Sequence, residues 1–92
     1  MKAFILSYDS KQISEKNFLQ YLDTRPEILN WFSIIPNTVF IVSNRSAHSL
    51  VNVFQKNYPN VFLIISEFDT LKDNGLLSDE AWDFLNNPKP AG

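Results

Sequence analysis

Residues 2–8, Lys2-Ala3-Phe4-Ile5-Leu6-Ser7-Tyr8, form an apolar run that ends on the carboxylate of Asp9. Side chains alternate along a strand, so Ala3, Ile5 and Ser7 point one way and Phe4, Leu6 and Tyr8 the other. With both faces apolar, the run reads as a central strand. The pattern then changes period. Phe18, Leu19 and Leu22 recur at helical spacing behind Ser14, a good N-cap, with Ile13 and Phe18 placed as a hydrophobic staple. This predicts a helix over 15–23, which stops before Pro26 because proline disfavours helical geometry at Arg25.

Residues 28–34 read as a second strand, with Trp31 and Phe32 on opposite faces. Ile35-Pro36-Asn37 is a turn, and the β-branched and aromatic run 38–43 a third strand, so the short connection makes a hairpin. Ser46 caps a predicted helix over 47–57 whose buried stripe is Leu50, Val51, Val53 and Phe54. The most hydrophobic run of the chain follows at 61–67 as a fourth strand. A polar loop with an Asn74-Gly75 turn signal leads to Ser78, which caps a last short helix over 79–86. Ala81, Trp82 and Leu85 are its apolar positions. Residues 87–92 are expected to be a mobile tail.

The element order is βαββαβ plus a terminal helix, an α+β arrangement of the ferredoxin-like kind. Right-handed crossovers put both long helices on one face of a four-stranded antiparallel sheet, with strands one and three adjacent and central. Residues 1–92 are expected to form one domain: a core over 2–67, an acidic loop and helix over 68–86, and the tail. Neither phase of the strands is polar. A second apolar sheet face marks an interaction surface, and the residues expected to form a homodimer interface there are Phe4, Leu6, Tyr8, Phe40, Val42, Phe62 and Ile64. The alternative is that the terminal helix folds back and covers this face with Trp82 and Leu85.

Composition narrows the chemistry. Hydrophobic residues at 45% and aromatics at 14% exclude a disordered chain. The absence of cysteine excludes disulfides and thiolate metal sites. No stretch is long enough to span a bilayer, and the N-terminus lacks an export signal, so the expected location is the cytoplasm. Net charge is −2, unevenly spread: residues 1–65 carry six bases against four acids, and residues 66–92 six acids against two bases. Clustered Lys and Arg, which strong phosphate-backbone binding needs, are missing.

The topology is expected to gather Asp9, Ser10, Ser43, Asn44, Arg45 and Ser46 at one sheet edge. A carboxylate at Asp9 could hold Mg²⁺, and Ser10, Asn44, Arg45 and Ser46, with a helix N-terminus, could receive an anion or nucleic acid. Equally, Asp9 and Ser10 suit a turn and Ser46 a simple cap. Glu67, Asp69 and Asp73 match no ordered calcium loop, and His48 is a lone histidine.

A short chain opening on an apolar strand that ends Ser7-Tyr8-Asp9, with this element order, resembles the CRISPR-associated adaptation proteins of the Cas-two type. It is also similar to the small SinR-like and VapD-like proteins that share their fold. The likeness is carried by Phe4 to Asp9, Thr38 to Ser43 and Val61 to Glu67, and by the element order over residues 2–67. The resemblance implies a ferredoxin-like homodimer in which Asp9 approaches its twofold mate and binds Mg²⁺ for phosphodiester hydrolysis. Two functions are therefore expected to compete: a Mg-dependent endonuclease or an inactive relative of one, and a noncatalytic protein-interaction or regulatory module using the apolar sheet face and the acidic C-terminal segment. The acidic balance and sparse arginines favour the second and the resemblance favours the first, so the leading expectation is a small Cas-two-like dimer, a nuclease or an inactive relative of one, with the interaction module as the alternative.

Overall fold

Three serines start three helices. In a computed structural model describing Met1–Gly92, Ser14 Oγ accepts the Asn17 N–H at 3.2 Å, Ser46 Oγ that of Ser49 at 3.1 Å and Ser78 Oγ that of Ala81 at 3.2 Å. Each bond satisfies a donor that the first helical turn leaves without a partner. The elements are β1 (Lys2–Tyr8), α1 (Glu15–Asp23), β2 (Asn30–Phe32), β3 (Thr38–Ser43), α2 (Ala47–Asn57), β4 (Leu63–Glu67) and α3 (Asp79–Asn86). No helix is long and apolar enough to cross a membrane.

The sheet runs β2-β3-β1-β4, every neighbouring pair antiparallel. This is the ferredoxin-like order, with β1 and β3 central. Register fixes the faces, because residues opposite one another share a side. Phe4 pairs with Ile41 and Leu6 with Val39, and these residues with Tyr8 pack against Phe18 and Leu22 of α1 and Leu50 and Phe54 of α2. Ile13 is buried beside Phe18 in the same cluster, as a staple requires. Each of these fully buried side chains contributes about 1.5–3 kcal/mol by leaving water.

That register corrects the expected interface. Phe4, Leu6 and Tyr8 do not share a face with Phe40 and Val42; they lie in the core beneath the two long helices. Residues i and j in an antiparallel ladder slide in opposite directions, so like-sounding phases of β1 and β3 need not coincide.

The outer face belongs to Ala3, Ile5, Phe32, Phe40 and their neighbours, and α3 lies on it. Ala81 and Leu85 are buried with Ala3 and Phe40 in a second, smaller cluster edged by Phe32, Phe68, Leu77, Trp82 and Phe84. Phe32 meets Phe84 at 5.7 Å between ring centres, and Phe68 meets Trp82 at 6.3 Å. The sheet is thus sandwiched, with α1 and α2 on one side and α3 on part of the other.

Two further expectations change. β2 is shorter than 28–34, because the Arg25–Ile28 turn and the 33–37 turn take its ends; Asn37 adopts φ 63° in the latter, a region asparagine tolerates. The tail is also tied down. Ala91 N–H donates to Leu29 O at 2.9 Å and Asn30 Nδ2 to Lys89 O at 3.4 Å, so the C-terminus is fixed beside the start of β2.

Candidate functional site

β1 and β3 run in opposite directions, with Ser7 opposite Thr38 and Lys2 opposite Ser43. Asp9 and Ser10 therefore lie at the β2–β3 turn end of the sheet, and Ser43, Asn44, Arg45 and Ser46 at the other. At about 3.3 Å per residue the separation is roughly 20 Å. The expected single cluster does not form, because in an antiparallel pair the end of one strand adjoins the start of the other. The two long helices likewise begin at opposite ends.

At its own end Asp9 organises a turn. Its Oδ1 accepts the Lys11 N–H at 2.9 Å, and its carbonyl accepts from Gln12 and Ile13 at 3.0 and 3.3 Å. No group of three or more His, Cys, Asp or Glu side chains is placed to hold a metal ion. Mg²⁺ takes one or two carboxylates beside phosphate and water; here Asp9 offers one, whose Oδ1 also accepts the Lys11 N–H. Glu67 ends β4, and Asp69 and Asp73 after it close their own loop: Asp69 N–H donates to Asp73 Oδ2, and Asp69 Oδ1 accepts from Leu71 N–H, both at 2.9 Å. His48 is exposed in the first turn of α2.

At the far end the groups satisfy one another. Buried Ser43 donates through Oγ to Glu27 O at 2.7 Å and accepts the Arg45 N–H at 3.0 Å. Arg45 Nη1 donates to Ser49 Oγ at 3.1 Å, while Asn44 is exposed. Arg25 forks onto both Glu27 oxygens at 3.1 and 3.3 Å. Those bonds hold the Glu27 carboxyl below the usual carboxylate range, against the opposing effect of burial. Asn44, Arg45 and Ser46 are adjacent by chain continuity, without Ser10, and Ser46 is occupied as the α2 cap.

Under the helices, Tyr8 Oη is the one buried side-chain polar atom without a partner. Burial pushes its phenol up, and the Glu15 carboxylate adds to this.

The outstanding surface is β4. Phe62 is 76% and Ile64 71% exposed, both on the outer face, with the α3 layer sitting over Ala3 and Phe40 instead. A shallow groove there is lined by Ser7, Tyr8, Asp9, Phe62, Leu63 and Ile64. Of the residues expected on an open face, Phe62 and Ile64 are there; Phe40 and Val42 share the outer side but are buried. Gln12, which sequence reasoning passed over as loop, prepares this strand. Its side chain accepts the Phe62 N–H and donates to Asn60 O, each at 2.7 Å, tying the turn that leads into β4 to the β1–α1 connection. An isolated glutamine forty-eight and fifty positions from its partners leaves no local signal.

The outer edge of β4 has no neighbouring strand. Asp9 N–H donates to Phe62 O and Phe68 N–H to Ala3 O, so by alternation Phe62, Ile64, Ser66 and Phe68 turn backbone groups towards β1. Leu63, Ile65 and Glu67 turn theirs outward. No family model matches this chain, and no characterised protein or solved structure matches it either.

Proposed function

We propose that the chain is a noncatalytic interaction module that binds protein through the outer face and open edge of β4. The observation that carries this reading is the pair Phe62 and Ile64, 76% and 71% exposed just ahead of and within β4, a strand with an unpaired backbone edge. Large apolar side chains beside free N–H and C=O groups are the features used when a strand is added to a sheet: the backbone supplies affinity and the side chains specificity. The other sheet edge, at β2, carries the C-terminal tail. Edges are ordinarily blunted by charge, proline or a covering segment, and the one charge in β4 is Glu67 at its end. The acidic side chains of α3, Asp79, Glu80 and Asp83, are exposed while its apolar side is spent on the sheet.

A photoreactive phenylalanine analogue in place of Phe62, expressed in the source cell, tests this reading. Adducts should form at 62 and not at exposed Gln55 on α2. An absence of adducts at 62 would refute it.

A Cas-two-like Mg-dependent endonuclease is the second reading. It is favoured by the ferredoxin-like topology and by Asp9 lining the β4 groove directly after a central strand. It requires a second carboxylate from another copy, and Asp9→Asn must abolish Mg²⁺- or Mn²⁺-dependent cleavage of RNA or DNA. Equal cleavage by the variant, or none by the parent, removes it.

A further inference from the structure

We infer that the occupant of the β4 edge is a second copy of this chain, paired antiparallel, β4 to β4, about a twofold axis at Leu63. The inference rests on the interaction-module reading and adds to it the partner and the register.

The register follows from the side chains. Outward backbone groups at Leu63 and Ile65 restrict a symmetric pairing to those that match odd residues with odd and even with even. With the axis at Leu63, Phe62 of each protomer faces Ile64 of the other on the outer side. On the helix side Leu63 faces Leu63, and Val61 faces Ile65. All five positions from 61 to 65 then meet apolar partners. Moving the axis one residue back sets Ile64 against Asn60, and one residue forward sets Phe62 against Ser66. Two steps forward brings Glu67 onto Leu63. One register alone covers both exposed side chains with apolar surface.

The chain is ready for that strand. Gln12 already anchors the segment ahead of β4 through Asn60 O and the Phe62 N–H. Leu63 N–H would donate to Leu63 O of the second copy in both directions, and Ile65 N–H to Val61 O, while Val61 N–H stays in its turn with Tyr58 O. The result is one continuous eight-stranded sheet whose two ends are the β2 edges.

Area sets the strength. An aromatic side chain buries roughly 150–250 Å² and Ile64 somewhat less, so two copies of the pair with the half-buried Leu63 and Ile65 come to at most roughly 1,000 Å². That stands at the lower limit for a specific interface, as a weak, concentration-dependent dimer requires. The geometry also separates the two Asp9 carboxylates. Asp9 lies opposite Phe62, so three interstrand spacings and the offset along the strands put the pair about 16 Å apart. One ion cannot bridge them.

Because the chain has no cysteine, introduced thiols report pairing cleanly. Phe62→Cys and Ile64→Cys proteins, mixed and oxidised, should give a disulfide species at twice the 10.6 kDa of one chain, at least tenfold above either variant alone. In sedimentation runs from about 1 µM to about 500 µM, the wild type should pass from monomer to dimer, and Ile64→Lys, altered at an exposed position, should stay monomeric and folded. A wild type monomeric throughout, an Ile64→Lys dimer of undiminished affinity, or cross-linking of single variants as efficient as of the mixture overturns the inference. Monomeric purified protein combined with heavier Phe62 photo-adducts to another chain in cells would overturn self-pairing and leave the interaction module standing. Absence of both would overturn the two together.

Discussion

Shortening Leu85 to alanine measures how firmly α3 closes the outer face. Leu85 is 2% exposed and packs with Ala3, Phe40 and Ala81. Leu→Ala in a core costs about 2–5 kcal/mol, the larger values where the cavity cannot collapse. Here the cluster has only four buried members and is bordered by half-buried aromatics free to shift, so the expected loss is about 2–3 kcal/mol. The same truncation at Ile64, 71% exposed, should stay within about 0.5 kcal/mol. Urea unfolding followed by circular dichroism, at about 1 µM to keep the chain monomeric, reads the contrast. With a slope near 1 kcal/mol per molar urea, Leu85→Ala lowers the midpoint by about 2–3 M, and Ile64→Ala by less than about 0.5 M. Equal losses for the two variants would mean that α3 does not cover Phe40 and that the division of the outer face into closed and open halves is wrong.

Charge at Phe4 gives a second contrast: Phe4→Asp should unfold the monomer, because the side chain is wholly buried beneath α1 and α2, whereas Ile64→Asp leaves the circular dichroism spectrum unchanged. Ser78→Ala removes the α3 cap and should cost about 1 kcal/mol in urea titrations. Glu27 is held below the usual carboxylate pKa by Arg25, so its contribution to stability is full above that usual value and is lost as pH falls through the lower folded one. Glu27→Gln should flatten the acid limb of a stability–pH curve, and an unchanged limb would contradict the pairing. Gln12→Ala should speed exchange of the Phe62 amide without altering that of Leu6.

Helices were legible because their signals are local. Ser14, Ser46 and Ser78 sit immediately ahead of apolar stripes, and the spans 15–23, 47–57 and 79–86 are those observed. The strand order also followed from element order. What failed was long-range. Which face Phe4 takes depends on its register with Ile41, thirty-seven residues away, and no alternation within β1 carries that information. The same oversight grouped Asp9 with Arg45, since adjacency of strands says nothing of which ends meet until their direction is applied. The α3 docking was foreseen as an alternative from Trp82 and Leu85, and the structure adds how far it reaches: over Phe40 but not Phe62 or Ile64. The tail was read as mobile from its terminal position, yet the Ala91 amide and the Asn30 side chain tie it to residues 29 and 30.

Amide hydrogen exchange along β4, measured on the purified protein at low and high concentration, tests the edge-pairing account most directly. The Ile64 and Ser66 amides turn towards β1 and should be protected at both concentrations, while the outward Leu63 and Ile65 amides should exchange freely when dilute and slow at least tenfold when concentrated. If Leu63 and Ile65 exchange at the same unprotected rate at every concentration, β4 does not pair with a second copy and the account of this edge is wrong.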